Sequence, residues 1–169
     1  MTVVAKTCGA CSLCCKTMVI PELQKPKDSW CQNFIRGAGC AIYADRPKSC
    51  RDFICYWLID PAMGPEWKPD KCKMVLDARQ DWLVVHVDPA AQQPWRQEPF
   101  FSYLKEMSAR NMARGARVLV MERGRTIIIL PDGAVDLGVV KPQDRIEVSR
   151  SAGVSGASWQ ARIIPVTPP

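Results

Sequence analysis

No cysteine follows Cys72, and the whole chain of 169 residues has a single histidine. Paired histidines, Ser-His-Asp elements, phosphate-binding loops and acidic pairs at enzyme-like spacing are all absent, so no complete catalytic constellation is visible. Long hydrophobic runs are missing too. The longest, Phe53 to Ile59 and Ile127 to Leu130, fall far short of the roughly 20 residues that span a bilayer. Met1 to Lys6 leads into the first cysteines without the apolar core of an export signal. These absences predict a cytoplasmic protein with no membrane partner. A basic tail is also lacking: ten Lys/Arg face seven Asp/Glu up to Cys72, and thirteen face ten beyond it. The net charge of +6 is therefore spread evenly, which argues against a nucleic-acid partner.

What the chain does have is nine cysteines, all between Cys8 and Cys72. That is about one residue in eight over the first segment, above the roughly 8–10% at which cysteine defines a scaffold. The composition divides the chain into a Cys-rich segment over 1–72, a sheet-forming portion over 73–150 that makes one compact unit with it, and a partly ordered tail over 151–169. The expected fold is α+β: a metal-stabilised Cys-rich segment with a short helix, packed on an antiparallel β-sheet with one principal helix.

In the first segment, Pro21 to Asp28 reads as a loop with nothing to offer a core. Asp45 can cap a helix that has Pro47 in its first turn and runs through Cys50, Phe53 and Ile54 toward Cys55. Pro61 to Pro69 is a linker or a loop over the core. Strands are expected at Met74–Asp77 and Trp82–Val87. A helix then starts at Pro99, with Phe100, Tyr103, Leu104 and Met107 on one face and Arg110, Arg114 and Gly115 marking its end. Val118–Met121 and Thr126–Leu130 flank a turn at Glu122–Arg125, Ala134–Val140 follows the turn at Pro131–Gly133, and Arg145–Val148 adds a short strand. In the tail, Trp159, Ile163 and Ile164 are the residues able to tie it down.

Cys8-x-x-Cys11-x-x-Cys14-Cys15 places four thiols within eight residues. A C-x-x-C turn brings two sulfurs within reach of one metal, and adjacent cysteines can serve different metals or different corners of one cluster. A disulfide framework is the bland alternative; the odd count and the reducing compartment weigh against it. Zinc and iron-sulfur ligation both suit these residues. The run differs from that of a bacterial ferredoxin, where a fourth cysteine precedes proline, because Cys15 precedes Lys16.

With Cys31, Phe34-Ile35, Gly39-Cys40-x-Ile42-Tyr43 and Arg46-Pro47-x-x-Cys50-Arg51-x-Phe53-x-Cys55, the pattern over residues 8–55 resembles the CxxCxxCC family of zinc- or iron-chelating proteins, which includes flagellin lysine N-methylase. The resemblance implies a metal-ligand set of Cys8, Cys11, Cys14, Cys15, Cys31, Cys40, Cys50 and Cys55, with Cys72 outside it. It covers about a third of the chain. No strand followed by a glycine-rich segment suits S-adenosylmethionine, and Gly37-Ala38-Gly39 reads as a turn. The expected function is metal binding by clustered thiolates, with Zn²⁺ as a structural metal and a protein partner on the surface. The alternative is an iron-sulfur cluster in a redox or protein-modifying, methyltransferase-like system.

Four other features have plainer readings. His86 is an ordinary strand residue. Arg110, Arg114, Arg117, Arg123 and Arg125 form a solvated face, which with Trp95 could alternatively meet a base. Cys72, between Lys71 and Lys73, is a structural thiol unless exposed, in which case it is reactive and alkylates first. Arg46 and Arg51 are assigned to charge compensation around the thiolates.

Overall fold

Fourteen prolines and ten glycines break the chain often, and the Cys-rich segment accordingly holds only single turns of helix and two-residue strands. These are helix α1 (Cys14–Thr17), the hairpin strands β1 (Phe34–Ile35) and β2 (Gly39–Cys40), and helices α2 (Lys48–Asp52), α3 (Tyr56–Ile59) and α4 (Pro69–Cys72). The structure, a computed structural model, describes residues 6–79, 81–153 and 156–166. The stretch read as lacking an export core lies mostly outside the described residues, as do Pro168 and Pro169. By internal contacts the chain forms two units: Met1–Ala78 with Val85–Pro94, and Arg79–Val84 with Trp95–Pro169.

The helix expected from Asp45 to Cys55 is shorter than its pattern. It begins after Pro47 with no side-chain cap, and Phe53 turns extended (φ −73°, ψ 122°), so Cys55 sits outside it. Five residues cannot sustain a helix by propensity alone. Gly37 and Gly39 both have positive φ, 79° and 94°, and close the β1–β2 hairpin as the turn reading anticipated. The Pro61–Pro69 stretch lies over the first unit's core, where Met63 and Trp67 are almost fully buried. Trp57 is buried with them, its ring N–H donating to the Gly64 carbonyl at 3.0 Å.

Five strands form one sheet in the order β3-β4-β5-β6-β7: β3 (Met74–Ala78), β4 (Trp82–Val87), β5 (Arg117–Glu122), β6 (Arg125–Leu130) and β7 (Gly133–Gly138). The sheet is mixed, which corrects the antiparallel expectation. The thirteen-residue helix α5 (Phe100–Met112) separates β4 from its neighbour β5, and the Arg117 N–H donates to the Asp81 carbonyl at 3.0 Å, where both strands start. Neighbouring strands that start side by side run parallel, and a helical crossover is what such a pair needs.

Helix α5 buries Leu104 and Met107 against β5 and β6, and the Ser108 hydroxyl donates to the Ile129 carbonyl at 2.6 Å. Strand β6 is buried from Thr126 to Leu130, the continuous run expected of a strand covered on both faces. Its hairpin with β5 turns at Arg123 and Gly124, both at positive φ (49° and 76°), the signature of a type I′ turn.

The last expected strand extends well past Val148. β8 (Arg145–Gly153) pairs antiparallel with β9 (Gly156–Ile164), from Arg145↔Ile164 through Ser151↔Ser158. The small residues read as tail composition are accommodated because a two-stranded ribbon asks little side-chain volume of them. The Trp159 N–H donates to Asp132 at 2.8 Å and fastens the hairpin to the β6–β7 turn. No helix among the described residues is long and apolar enough to cross a membrane.

Candidate metal centre

The first thiols are presented by a turn and the helix behind it. The Cys11 N–H donates to the Cys8 carbonyl at 2.9 Å, and the Cys15 N–H to the Ser12 carbonyl at 2.9 Å, so Cys8 to Cys15 coil as two successive turns. Cys14 and Cys15 open α1. Lys6 fixes the approach to this coil: its ammonium donates to the Asp60 and Met63 carbonyls at 2.5 and 2.6 Å and lies 5.5 Å from the Trp57 ring centre.

Around that coil the charges of the thiols bear on one another in two overlapping sets, and those of Cys55 and Cys11 bear also on Cys72. In one, the charges of Cys8 and Cys11 bear on both Cys14 and Cys55. Burial pushes the Cys55 thiol up to about 11, and Cys8 and Cys11 add to the rise. Burial likewise raises Cys11, against backbone N–H groups that favour its thiolate. In the other, the Cys31 N–H donates to the Cys15 carbonyl at 3.0 Å, the Phe34 N–H to the Cys31 carbonyl at 3.0 Å, and Phe34 pairs in register with Cys40. The charges of Cys15, Cys31 and Cys40 all bear on Cys50, whose thiol burial raises first of all. Cys14 and Cys15 stand at the junction and share a hydrogen bond. It holds the proton on Cys14 and lowers Cys15, which the charges of Lys25 and Arg46 lower further.

Lys25 is a residue that the sequence reading placed in a featureless loop, yet it is only 6% exposed. Its ammonium donates to the carbonyls of Lys16 and Pro26, both at 2.9 Å, and to that of Met18. Two-way backbone bonds between Ile20 and Lys25 close this loop. A lysine beside Pro26 carries no signal of burial in sequence; only the convergence of three carbonyls reveals it. Arg46 stacks 3.8 Å from the Tyr43 ring centre and donates to the Tyr43 carbonyl at 3.0 Å, within electrostatic reach of Cys15. Arg51 is exposed.

Cys72 is buried, so the condition for a reactive thiol is not met. Its Sγ donates to the Trp67 and Met74 carbonyls (3.3 and 3.4 Å), and burial pushes its thiol up to about 12. His86 shares a half-buried strand face with Trp82 and Val84. Its Nε2 lies 3.8 Å from Asp77, and neither ring nitrogen has a hydrogen-bond partner among the described residues. Trp95 cannot stack on a base: it is fully buried, and its ring N–H donates to Glu122 at 3.2 Å. Of the arginine face, Arg125 is paired with Asp136 at 2.8 Å and Arg110 lies 4.0 Å from Glu106.

Among the described residues, no group of three or more His, Cys, Asp or Glu side chains stands ready-made to hold an ion. The donor chemistry nevertheless suits a thiophilic metal, because eight soft sulfurs from five separate stretches of chain share one unit. Each sulfur hangs on a single χ1 torsion with three staggered positions. Compared with known proteins, the chain matches no family model, no curated protein and no solved structure.

Proposed function

We propose that this chain is a metal-binding protein in which Cys8, Cys11, Cys14, Cys15, Cys31, Cys40, Cys50 and Cys55 hold Zn²⁺ as thiolates, with the metal stabilising the Cys-rich segment. The observation that carries this reading is that these eight free thiols, drawn from five separate stretches of chain, lie in one unit. The resemblance of residues 8–55 to the CxxCxxCC family points the same way. So does the scarcity of regular structure there, since single helical turns and two-residue strands cannot alone offset the entropy of ordering the chain. Reduced thiols in this number suit the cytoplasm.

The same unit exposes Val19, Trp30, Ile35, Tyr43, Ile54 and Ile59, and exposed apolar side chains of this size are what a protein partner would cover. The test is elemental analysis with an absorption spectrum on protein purified without oxygen. Stoichiometric zinc in a colourless, redox-silent protein is expected. Iron with a brown, bleachable spectrum would move the protein to the iron-sulfur alternative, and absence of both metals would remove the metal-binding reading.

A further inference from the structure

We infer that the second unit binds a small organic anion with a flat apolar body, in a cleft between strands β4 and β5 and the turn that leads into β8. The cleft has a volume of about 470 Å³, within the roughly 300–1,000 Å³ of small-molecule sites. Every residue lining it belongs to this unit, which contains no cysteine, so the site stands apart from the thiols.

Strand alternation supplies the floor. Along β5, Val118, Val120 and Glu122 are buried while Arg117, Leu119 and Met121 are half-buried, so Leu119 stands on the less covered face of the sheet. Trp82 is likewise half-buried on β4, with Leu83 buried next to it. The bond from the Arg117 N–H to the Asp81 carbonyl sets the two strand starts side by side, and Trp82 and Leu119 line one cleft. Val140, Pro142 and Ile146 add an apolar wall. A half-exposed indole among aliphatic side chains favours a flat ring system, which packs on it by offset stacking or edge to face.

The rim is held in place before any ligand arrives. The Lys141 N–H donates to the Asp144 carboxylate at 2.9 Å, and the Asp144 N–H donates to the Lys141 carbonyl at 3.0 Å, so the turn is closed twice. A rim already ordered lowers the entropy lost on binding.

Charge sets the sign of the ligand. Other cations of this unit are engaged: Arg110 with Glu106, Arg125 with Asp136 and Arg162 with Glu147. Lys141 and Arg145 are exposed at the cleft and form no ion pair among the described residues. The single carboxylate lining the cleft, that of Asp144, is turned to the Lys141 N–H. Two cations against one committed acid leave the rim net positive, which complements an anionic head group on a ligand whose apolar body lies against Trp82.

The test is titration of the full-length chain with naphthoate, followed by calorimetry and by the indole N–H signals in NMR, with naphthylmethanol as the uncharged counterpart. One saturable site is expected, and the Trp82 signal, assigned by its loss in Trp82→Phe, should move most. Lys141→Glu and Arg145→Glu, both exposed positions, should each weaken naphthoate about fivefold, the size of a surface charge contact, and leave naphthylmethanol unchanged. Trp82→Ala should weaken both probes. Naphthoate affinity kept in the double charge reversal, or matched by naphthylmethanol, would overturn the anionic character of the ligand. No saturable binding, or shifts confined to tryptophans other than Trp82, would overturn the site. Should Trp82→Ala fail to fold by circular dichroism, the two charge reversals, which leave the cleft floor intact, decide the outcome.

Discussion

The Lys16 ammonium lies 2.6 Å from the Asp88 carboxylate, and both side chains are mostly shielded from water. The pair ties α1, which carries Cys14 and Cys15, to the residue that follows strand β4. Lys16 also sits 5.6 Å from the Trp30 ring centre, and Trp30 stacks on Phe34 at 4.0 Å. Asp88→Asn keeps the side-chain oxygen that accepts from the Ala90 N–H and removes only the charge. A shielded pair is worth more than a surface one, so the variant should lose about 1–2 kcal/mol of stability in urea unfolding. An unchanged midpoint would show the pair to be incidental.

Cys72 gives a prediction in alkali. Burial raises its thiol to about 12 in the folded chain, so the folded state favours the protonated form. Its contribution is fully present below the ordinary thiol range near 9.0 and is lost as pH rises toward about 12. Cys72→Ala should therefore flatten the fall in stability between those values compared with the parent chain. In alkylation at neutral pH, Cys72 should be among the last thiols labelled, and the exposed Cys8 should precede it once metal is removed.

Trp95 is an internal test of the second unit. Trp95→Ala should cost about 3–5 kcal/mol, as truncation of a large buried ring does. Trp95→Phe keeps most of the volume and loses the N–H given to Glu122, so it should cost about 1–3 kcal/mol. Nucleic-acid affinity should not change with either, measured by salt-dependent binding to an oligonucleotide.

Chelation should act on the first unit alone at first. If metal stabilises the Cys-rich segment, a strong chelator should open residues 8–55 to limited proteolysis while α5 and β5–β7 stay protected. Equal protection of both regions after complete metal removal would contradict the stabilising role.

The second half of the chain was the more legible in sequence, because periodicity is a strong signal where elements are long. Leu104 and Met107 at helical spacing, and the apolar run ending at Leu130, marked α5 and β6 nearly to the residue. Strand direction was not readable, since the pairing of β4 with β5 depends on where the chain returns after α5. Beyond the expected strand at Arg145–Val148, the β8–β9 ribbon escaped notice because Ser151, Ala152 and Ser158 lack strand propensity, and cross-strand pairing overrides that preference. Among the site residues, the cysteines announced themselves by spacing. Lys25 did not, since burial of a lysine follows from loop closure by Ile20, which no local pattern encodes.

Among the described residues, strands β8 and β9 pair with each other and with no further strand, so apart from the Trp159 N–H given to Asp132 the ribbon has outward-facing N–H and C=O groups that another chain could extend. Charge stands along it: Arg162 holds Glu147 across the ribbon at 2.5 Å, Arg150 lies 5.5 Å from the Trp159 ring centre, and Arg145 opens the first strand. Charge on an edge strand disfavours pairing with another chain, so replacing Arg145 and Arg150 by threonine is expected to lower solubility, as sedimentation at rising concentration would show.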